Sequence, residues 1–255
     1  MIRLVALSLA ALAVLVLAGC SDQNSSELQG WVEGDMIFVS PDEQGRVEML
    51  NVREGDRVQK GKLLFTLDDD LQQADVAVRK AALINAQQAY NRAEELLKSA
   101  SGTRKALDDA DATLRQAKAN LEAAETRLTR RRVLSPVSGT VQQVYFRPGE
   151  TVQPAKPVVA LLPPPNLKIR FFAPETKLAQ IKIDETVGVS CDACAKGLTA
   201  KVSFIADSAE YTPPVIYSRE ERAKLVYLIE ARPADPAQFR VGQPVTVTLP
   251  EGATP

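Results

Sequence analysis

The chain carries one pattern twice. Gly45-Arg46-Val47, then Val52-Arg53-Glu54-Gly55-Asp56-Arg57-Val58-Gln59, has a counterpart in Gly139-Thr140-Val141, then Phe146-Arg147-Pro148-Gly149-Glu150-Thr151-Val152-Gln153. Each equivalent residue lies 94 positions on (45 to 139, 55 to 149, 58 to 152). Both halves show the apolar alternation of short strands, with Gly where a tight turn would need positive φ. A half of roughly 35 residues cannot bury a sheet face alone, whereas two packed together form a small sandwich. The halves therefore read as one internal repeat, and the chain must leave the sandwich and return to it.

The excursion is helical. From Leu107 to Leu128 the apolar positions are Leu107, Ala110, Leu114, Ala117, Leu121, Ala124 and Leu128, in alternating steps of three and four. That is a coiled-coil seam, in which Leu alternating with Ala lets a partner helix approach closely. The partner is expected in Leu71 to Leu97, on the stripe Leu71, Ala74, Val78, Ala82, Ala86, Ala89, Ala93, Leu97, whose mean spacing is nearer 3.7 than 3.5 residues. Such a stripe should pair imperfectly along its length. Ser99-Ala100-Ser101-Gly102-Thr103 reads as the hairpin tip, and at ~1.5 Å per residue each arm would be about 40 Å long.

Catalytic chemistry finds little to use. None of the 255 residues is histidine, which removes Ser-His-Asp and Cys-His nucleophile pairs and the commonest metal ligand. No Gly-rich phosphate loop with Lys and Ser or Thr is present. The chain is expected not to be an enzyme, and no cofactor or metal is assigned to it. Lys and Arg number 31 against 32 Asp and Glu, and there is one Trp, so no nucleic-acid partner is expected. Arg130-Arg131-Arg132 would close the second helix, where positive charge complements the helix dipole. Asp68-Asp69-Asp70 falls where the first helix begins and reads as an N-cap with favourable charge rather than a cation site. Cys191-Asp192-Ala193-Cys194 admits a disulfide, an idle thiol pair, a redox pair or half of a metal site. The other half of a four-ligand set is missing and the motif lies between strand-like runs, which favours a small, labile disulfide between Cys191 and Cys194 or idle thiols.

Residues 1–19 read as a signal peptide. Arg3 supplies a positive charge, Leu4 to Leu17 is an apolar run shorter than the ~20 residues of a membrane span, and Leu17-Ala18-Gly19-Cys20 resembles a lipobox. On that resemblance Cys20 is acylated and residues 20–30 form a linker. Several acyl chains, at about 0.8 kcal/mol per buried methylene, would then hold the mature chain on a membrane. A signal anchor kept uncleaved is the alternative.

Strand half, helical hairpin, Leu134-Ser135-Pro136-Val137-Ser138-Gly139-Thr140-Val141 and second strand half, in that order, resemble the periplasmic adaptors, or membrane fusion proteins, of the HlyD family. The resemblance implies a mixed α and β fold. A lipoyl-like β-sandwich (31–68 plus 133–163) would be split by an antiparallel α-helical coiled-coil hairpin (69–132) and followed by a β-barrel domain (164–250), with 251–255 a tail. The barrel fits the alternation of Leu167, Ile169, Phe171, then Val187, Val189, then Ala200, Val202, Phe204, then Val245, Val247, Leu249. The stretch from Ala209 to Ser218, with Arg222-Ala223-Lys224-Leu225-Val226, is similar to adaptors paired with ABC-type drug exporters.

What the family implies is an adaptor in the periplasm, lipid-anchored to the inner membrane. It would bridge an inner-membrane transporter of the ABC class to a TolC-like outer-membrane channel, as a homo-oligomeric ring, commonly a hexamer. Arg92-Ala93-Glu94-Glu95-Leu96-Leu97, then Thr103, is similar to the family's tip signature. On that match Arg92, Leu96 and Thr103 dock against the channel, while Gly102 departs from the bulkier apolar residue often found there. The competing reading is that Leu96 finishes the seam and Arg92 pairs with a nearby Glu. At the level of function, one alternative is a structural periplasmic tether. The other is a lipoyl- or biotinyl-type carrier, against which Lys62 and Lys156 follow the turns rather than standing at a tip.

Overall fold

The computed structural model describes residues 27–192, 194–211 and 225–250. Its strands are β1 (Glu27–Gly34), β2 (Ile37–Val39), β3 (Gly45–Leu50), β4 (Arg57–Val58), β5 (Leu63–Leu67), β6 (Arg132–Leu134) and β7 (Gly139–Val144). They continue with β8 (Thr151–Val152), β9 (Val159–Leu162), β10 (Leu167–Pro174), β11 (Thr186–Ser190), β12 (Leu198–Tyr211), β13 (Leu225–Pro233) and β14 (Pro244–Thr248). The long helices are α1 (Asp70–Lys98) and α2 (Arg104–Arg130). The chain divides into one unit of Asp35–Pro164 and another of Met1–Gly34 with Pro165–Pro255.

In the Asp35–Pro164 unit the repeat becomes two sheets, ordered β2-β9-β7-β4 and β6-β5-β3-β8. The halves exchange partners: β3 pairs with β8, setting Gly45 opposite Val152, and β4 pairs with β7, setting Val58 opposite Gly139. Their turns interlock in the same way. Gly55 N–H donates to the Val141 carbonyl and Gly149 N–H to the Val47 carbonyl, each at 2.8 Å; Val141 N–H returns to Asp56 O at 2.9 Å and Val47 N–H to Glu150 O at 2.8 Å. Gly55 and Gly149 hold φ of 90° and 96°, a region open to glycine at little cost. Gly45 and Gly139, expected at such turns, are instead strand residues outside the positive-φ region. A Cβ on Gly139 would stand 2.6 Å from the Leu162 carbonyl oxygen, so close backbone approach is what requires glycine there.

Val47, Val52, Val58, Leu64, Phe65 and Leu67 from the first half meet Val141, Val144, Val152, Val158, Val159 and Leu161 from the second in one core. The helices occupy the interval between the halves and lie against one another. On α2 the buried and half-buried positions include every one of the seven expected from sequence, with Ala124 fully buried. On α1 the expected stripe holds only from Ala86 outward. Its base-proximal members are exposed, Leu71 to 81% and Val78 to 64%. Among the protected positions one row runs Gln72, Val76, Leu83, Ala86, Tyr90, Ala93, Leu97, which skips only position 79 in a regular three-four alternation. Polar Gln72 and Arg79 stand on that row, and this hid its inner half from a search for apolar spacing.

The second unit closes a barrel in the order β1-β10-β13-β12-β11-β14. Residues 31–34, set in the sandwich by the sequence reading, belong to β1, which pairs with both β10 and β14. The physical reason is edge closure: without β1 both neighbours would present unpaired backbone. Val32, Ile169, Phe171, Val187, Val189, Ala200, Val202, Ile229, Val245 and Val247 are buried. Phe204, expected among them, is 47% exposed, because the register slips between Val202 and Phe204 and a one-residue bulge turns the following side chains to the other face. The signal-peptide residues, Cys20, 212–224 and the 251–255 tail lie outside the described residues. Among the described residues no helix is long and apolar enough to cross a membrane.

Candidate docking site at the hairpin tip and its clamp at the base

The tip is built by two caps. Helix α1 ends at Lys98, and the Ser101 N–H reaches back to Leu96 O at 2.8 Å while the Ala100 N–H reaches Leu97 O at 3.1 Å. This is the paired bonding of a Schellman ending, and it puts Ala100 at φ 55°, where glycine would be the easier occupant. Helix α2 is opened by Thr103, whose Oγ1 accepts from the Ala106 N–H at 3.1 Å. Gly102 is seated against the first arm, since a Cβ there would lie 3.0 Å from Leu96 C, Leu96 Cβ and Leu97 N. A side chain at this position would press on Leu96 and Leu97, so glycine fits the turn without a shift of the first arm.

The structure thus brings Leu96 and the 102–103 link together and sets Arg92 one turn back on the Leu96 face. Leu96 is 50% exposed, so it does not finish the seam; Leu97, half-buried, does. Arg92 is exposed, while Glu94 pairs with Lys98 at 3.1 Å. Thr103 is exposed but carries the α2 cap, a structural duty that the sequence reading did not assign.

Sequence reasoning missed the other end of the hairpin. Of the three arginines read as one dipole-complementing run, Arg130 ends α2, Arg132 opens β6, and Arg131 between them is only 8% exposed. Its Nη1 donates to Gln44 O at 2.9 Å, its Nη2 reaches Glu43 Oε2 at 3.3 Å, and its backbone carbonyl accepts from Leu67 N–H at 2.9 Å. With the Gln72 amide turned to offer its oxygen, Gln72 also accepts from Arg131 Nη2 and, at 3.0 Å, from Nε. One guanidinium thereby ties the start of α1 and the end of α2 to the loop before β3. The signal available in sequence was a basic residue set directly between a helix end and a strand.

The acidic cluster serves the same junction. Asp68 Oδ2 pairs with Arg46 Nη2 at 2.6 Å and its Oδ1 accepts from Asp70 N–H at 3.4 Å; the Arg46 guanidinium holds the Asp68 carboxyl below its ordinary range. Asp69 is the N-cap residue of α1 but makes no side-chain cap bond, and its Oδ1 accepts from Gln73 Nε2 at 2.6 Å. In the barrel unit Cys191 and Cys194 are joined as a disulfide.

Residues 35–162 match the family described as RND MFP, barrel-sandwich hybrid domain. In sequence the chain is 27% identical to a UPF0194 membrane protein of Acidithiobacillus ferridurans over 95% of each chain. It is also 27% identical to YdhJ of Escherichia coli K12 over 88% of this chain and 85% of that one. In fold it is similar to a MacA-MexA chimera carrying the Pseudomonas aeruginosa MexA α-hairpin domain, with a TM-score of 0.72, 21% identity, and 88% and 81% of the two chains covered. Spr0693, a membrane fusion protein of Streptococcus pneumoniae R6, superposes with a TM-score of 0.67 and 20% identity over 88% and 98%. Taken with the split sandwich and its helical insertion, the match over residues 35–162 establishes that the chain belongs to the membrane fusion protein family.

Proposed function

We propose that this protein is a non-enzymatic periplasmic adaptor of a tripartite export system, bridging an inner-membrane transporter to a TolC-like outer-membrane channel. The observation that carries the reading is the tip: an exposed Leu96 with an exposed Arg92 one turn away, rigidly capped at the end of two arms of 29 and 27 residues. A half-exposed leucine at a rigid end offers apolar area to a partner, and the neighbouring charge offers orientation. Lipid attachment at Cys20 would keep the base at the inner membrane.

For the transporter, the stretch from 209 to 226 favours the ABC class, while the description of the matching domain carries the RND class. Affinity purification of the full-length protein from its own cells, followed by identification of the co-purifying inner-membrane protein, decides between an ATPase complex and a proton-driven pump. Recovery of neither, with export unaffected by deletion, would leave the structural tether. Intact mass tests the carrier: a lipoyl or biotinyl increment would overturn the adaptor reading. Self-association into a ring, commonly six copies in this family, is expected, and light scattering of the reconstituted assembly reads it. Labelling by a fatty-acid precursor that is lost in Cys20→Ala is the expected result for the anchor.

A further inference from the structure

The disulfide of the barrel unit has a neighbour that a purely structural bridge does not require. Cys191 follows β11 and Cys194 precedes β12, so the bridge spans a sequence separation of 3 and closes a turn already held by the Cys194 N–H to Cys191 O bond at 3.2 Å. So short a loop removes little entropy from the unfolded chain. Against it stands Gln243, the last residue before β14. The Gln243 Nε2 donates to Cys191 Sγ at 2.9 Å and to Cys194 Sγ at 3.4 Å. The orientation of that amide is set independently, because its Oε1 accepts from the Arg240 N–H at 2.9 Å. The Gln243 carbonyl is also held, by the Val32 N–H at 2.9 Å. A fixed donor is therefore aimed at the two sulfurs, both cysteines being half-exposed.

We propose that Cys191 and Cys194 form an exchangeable redox site that accepts two electrons from an external dithiol, with Gln243 as the positioning residue for the departing thiolate. A thiolate of the dithiol attacks Cys194 Sγ. The Cys191–Cys194 bond breaks, its electron pair leaving on Cys191 Sγ, the sulfur nearer to Gln243 Nε2. The second thiolate of the donor then attacks the mixed disulfide and releases Cys194. The donor ends as a disulfide; of its two protons one ends on Cys194 and the other passes to solvent, leaving Cys191 as the thiolate that Gln243 Nε2 faces. A hydrogen bond to the leaving sulfur favours both the rate and the reduced state. The proposal does not depend on the adaptor reading.

The test equilibrates full-length protein in buffers of reduced and oxidised dithiothreitol, traps free thiols by alkylation, and counts them by mass, with circular dichroism following the fold. The wild type should show one two-electron transition with the fold intact. Gln243→Glu keeps an acceptor for the Arg240 N–H but replaces the donor with negative charge, so its midpoint should need about tenfold more reduced dithiothreitol relative to oxidised; Gln243→Met should fall between. A local packing role gives no reason for that order. Equal midpoints in all three proteins, or a wild type that stays oxidised until it unfolds, would overturn the proposal.

Discussion

The sandwich and the hairpin belong to one unit of the chain, yet they are held together by different physics. The sandwich buries whole side chains: Leu64, Phe65, Val47, Val152 and Leu161 are all fully enclosed. The hairpin encloses one alanine on each arm, Ala86 and Ala124, and relies otherwise on half-buried seam residues, terminal caps, surface ion pairs and the Arg131 clamp. Close packing makes a core sensitive to every methylene, whereas a lightly packed helix pair tolerates change. The difference teaches where change is tolerated: a substitution on the hairpin surface costs the fold less than one in the sandwich core.

The sharpest way to break this comparison is to truncate one side chain in each region. Phe65→Ala should cost about 3–5 kcal/mol and unfold the sandwich in mild urea, whereas Leu114→Ala, half-buried, should cost about 1–2 kcal/mol. Equal shifts in the urea midpoint would contradict the contrast. Next in size is the clamp: Arg131→Met keeps the stem but removes the guanidinium, for a loss of about 2–3 kcal/mol. New proteolytic cleavage is expected near the hairpin base, and Arg131→Lys should recover only part of the loss, because an ammonium cannot bond Gln44, Glu43 and Gln72 in one plane.

At the tip the effects shrink. Thr103→Ala should destabilise by about 1 kcal/mol through loss of the α2 cap, with Thr103→Ser recovering it, while Arg92→Asp should stay within about 0.5 kcal/mol of wild type. Ala100→Gly should stabilise by about 0.5–1 kcal/mol by relieving the left-handed alanine; thermal melts of the helical signal read all four variants. The smallest effect concerns acid. The Asp68 carboxyl is depressed by Arg46, so its ion pair contributes above the unfolded-state value of a free aspartate and is lost as pH falls through the lower folded value. Asp68→Asn should therefore flatten the stability profile only at the acid end, a change that urea titrations at stepped pH can resolve.

The repeat at 94 residues carried the sandwich into view because each half reproduces the same turn, down to the acid that caps it at Asp56 and Glu150. The α2 seam was equally legible, being wholly Leu and Ala. What remained hidden was whatever departs from apolar periodicity. Gln72 and Arg79 masked the inner row of α1, a bulge turned Phe204 outward, and β1 joined a barrel whose other strands come more than a hundred residues later. Arg131 looked like its neighbours because burial of a charge depends on partners brought in by the fold. Of the tip residues, Leu96 and Arg92 stand exposed as a docking surface requires, whereas the bond from Thr103 to Ala106 could be known only once the helix start was placed.

In the proposed function the exposed tip engages an outer-membrane channel. Photo-crosslinking amino acids placed at Arg92 and Leu96, and as a control at Thr126 near the hairpin base, would be irradiated in cells that hold normal amounts of folded protein. A crosslinked outer-membrane protein is expected from positions 92 and 96 and none from 126. Absence of any product at 92 and 96, with folding and export intact, would contradict it.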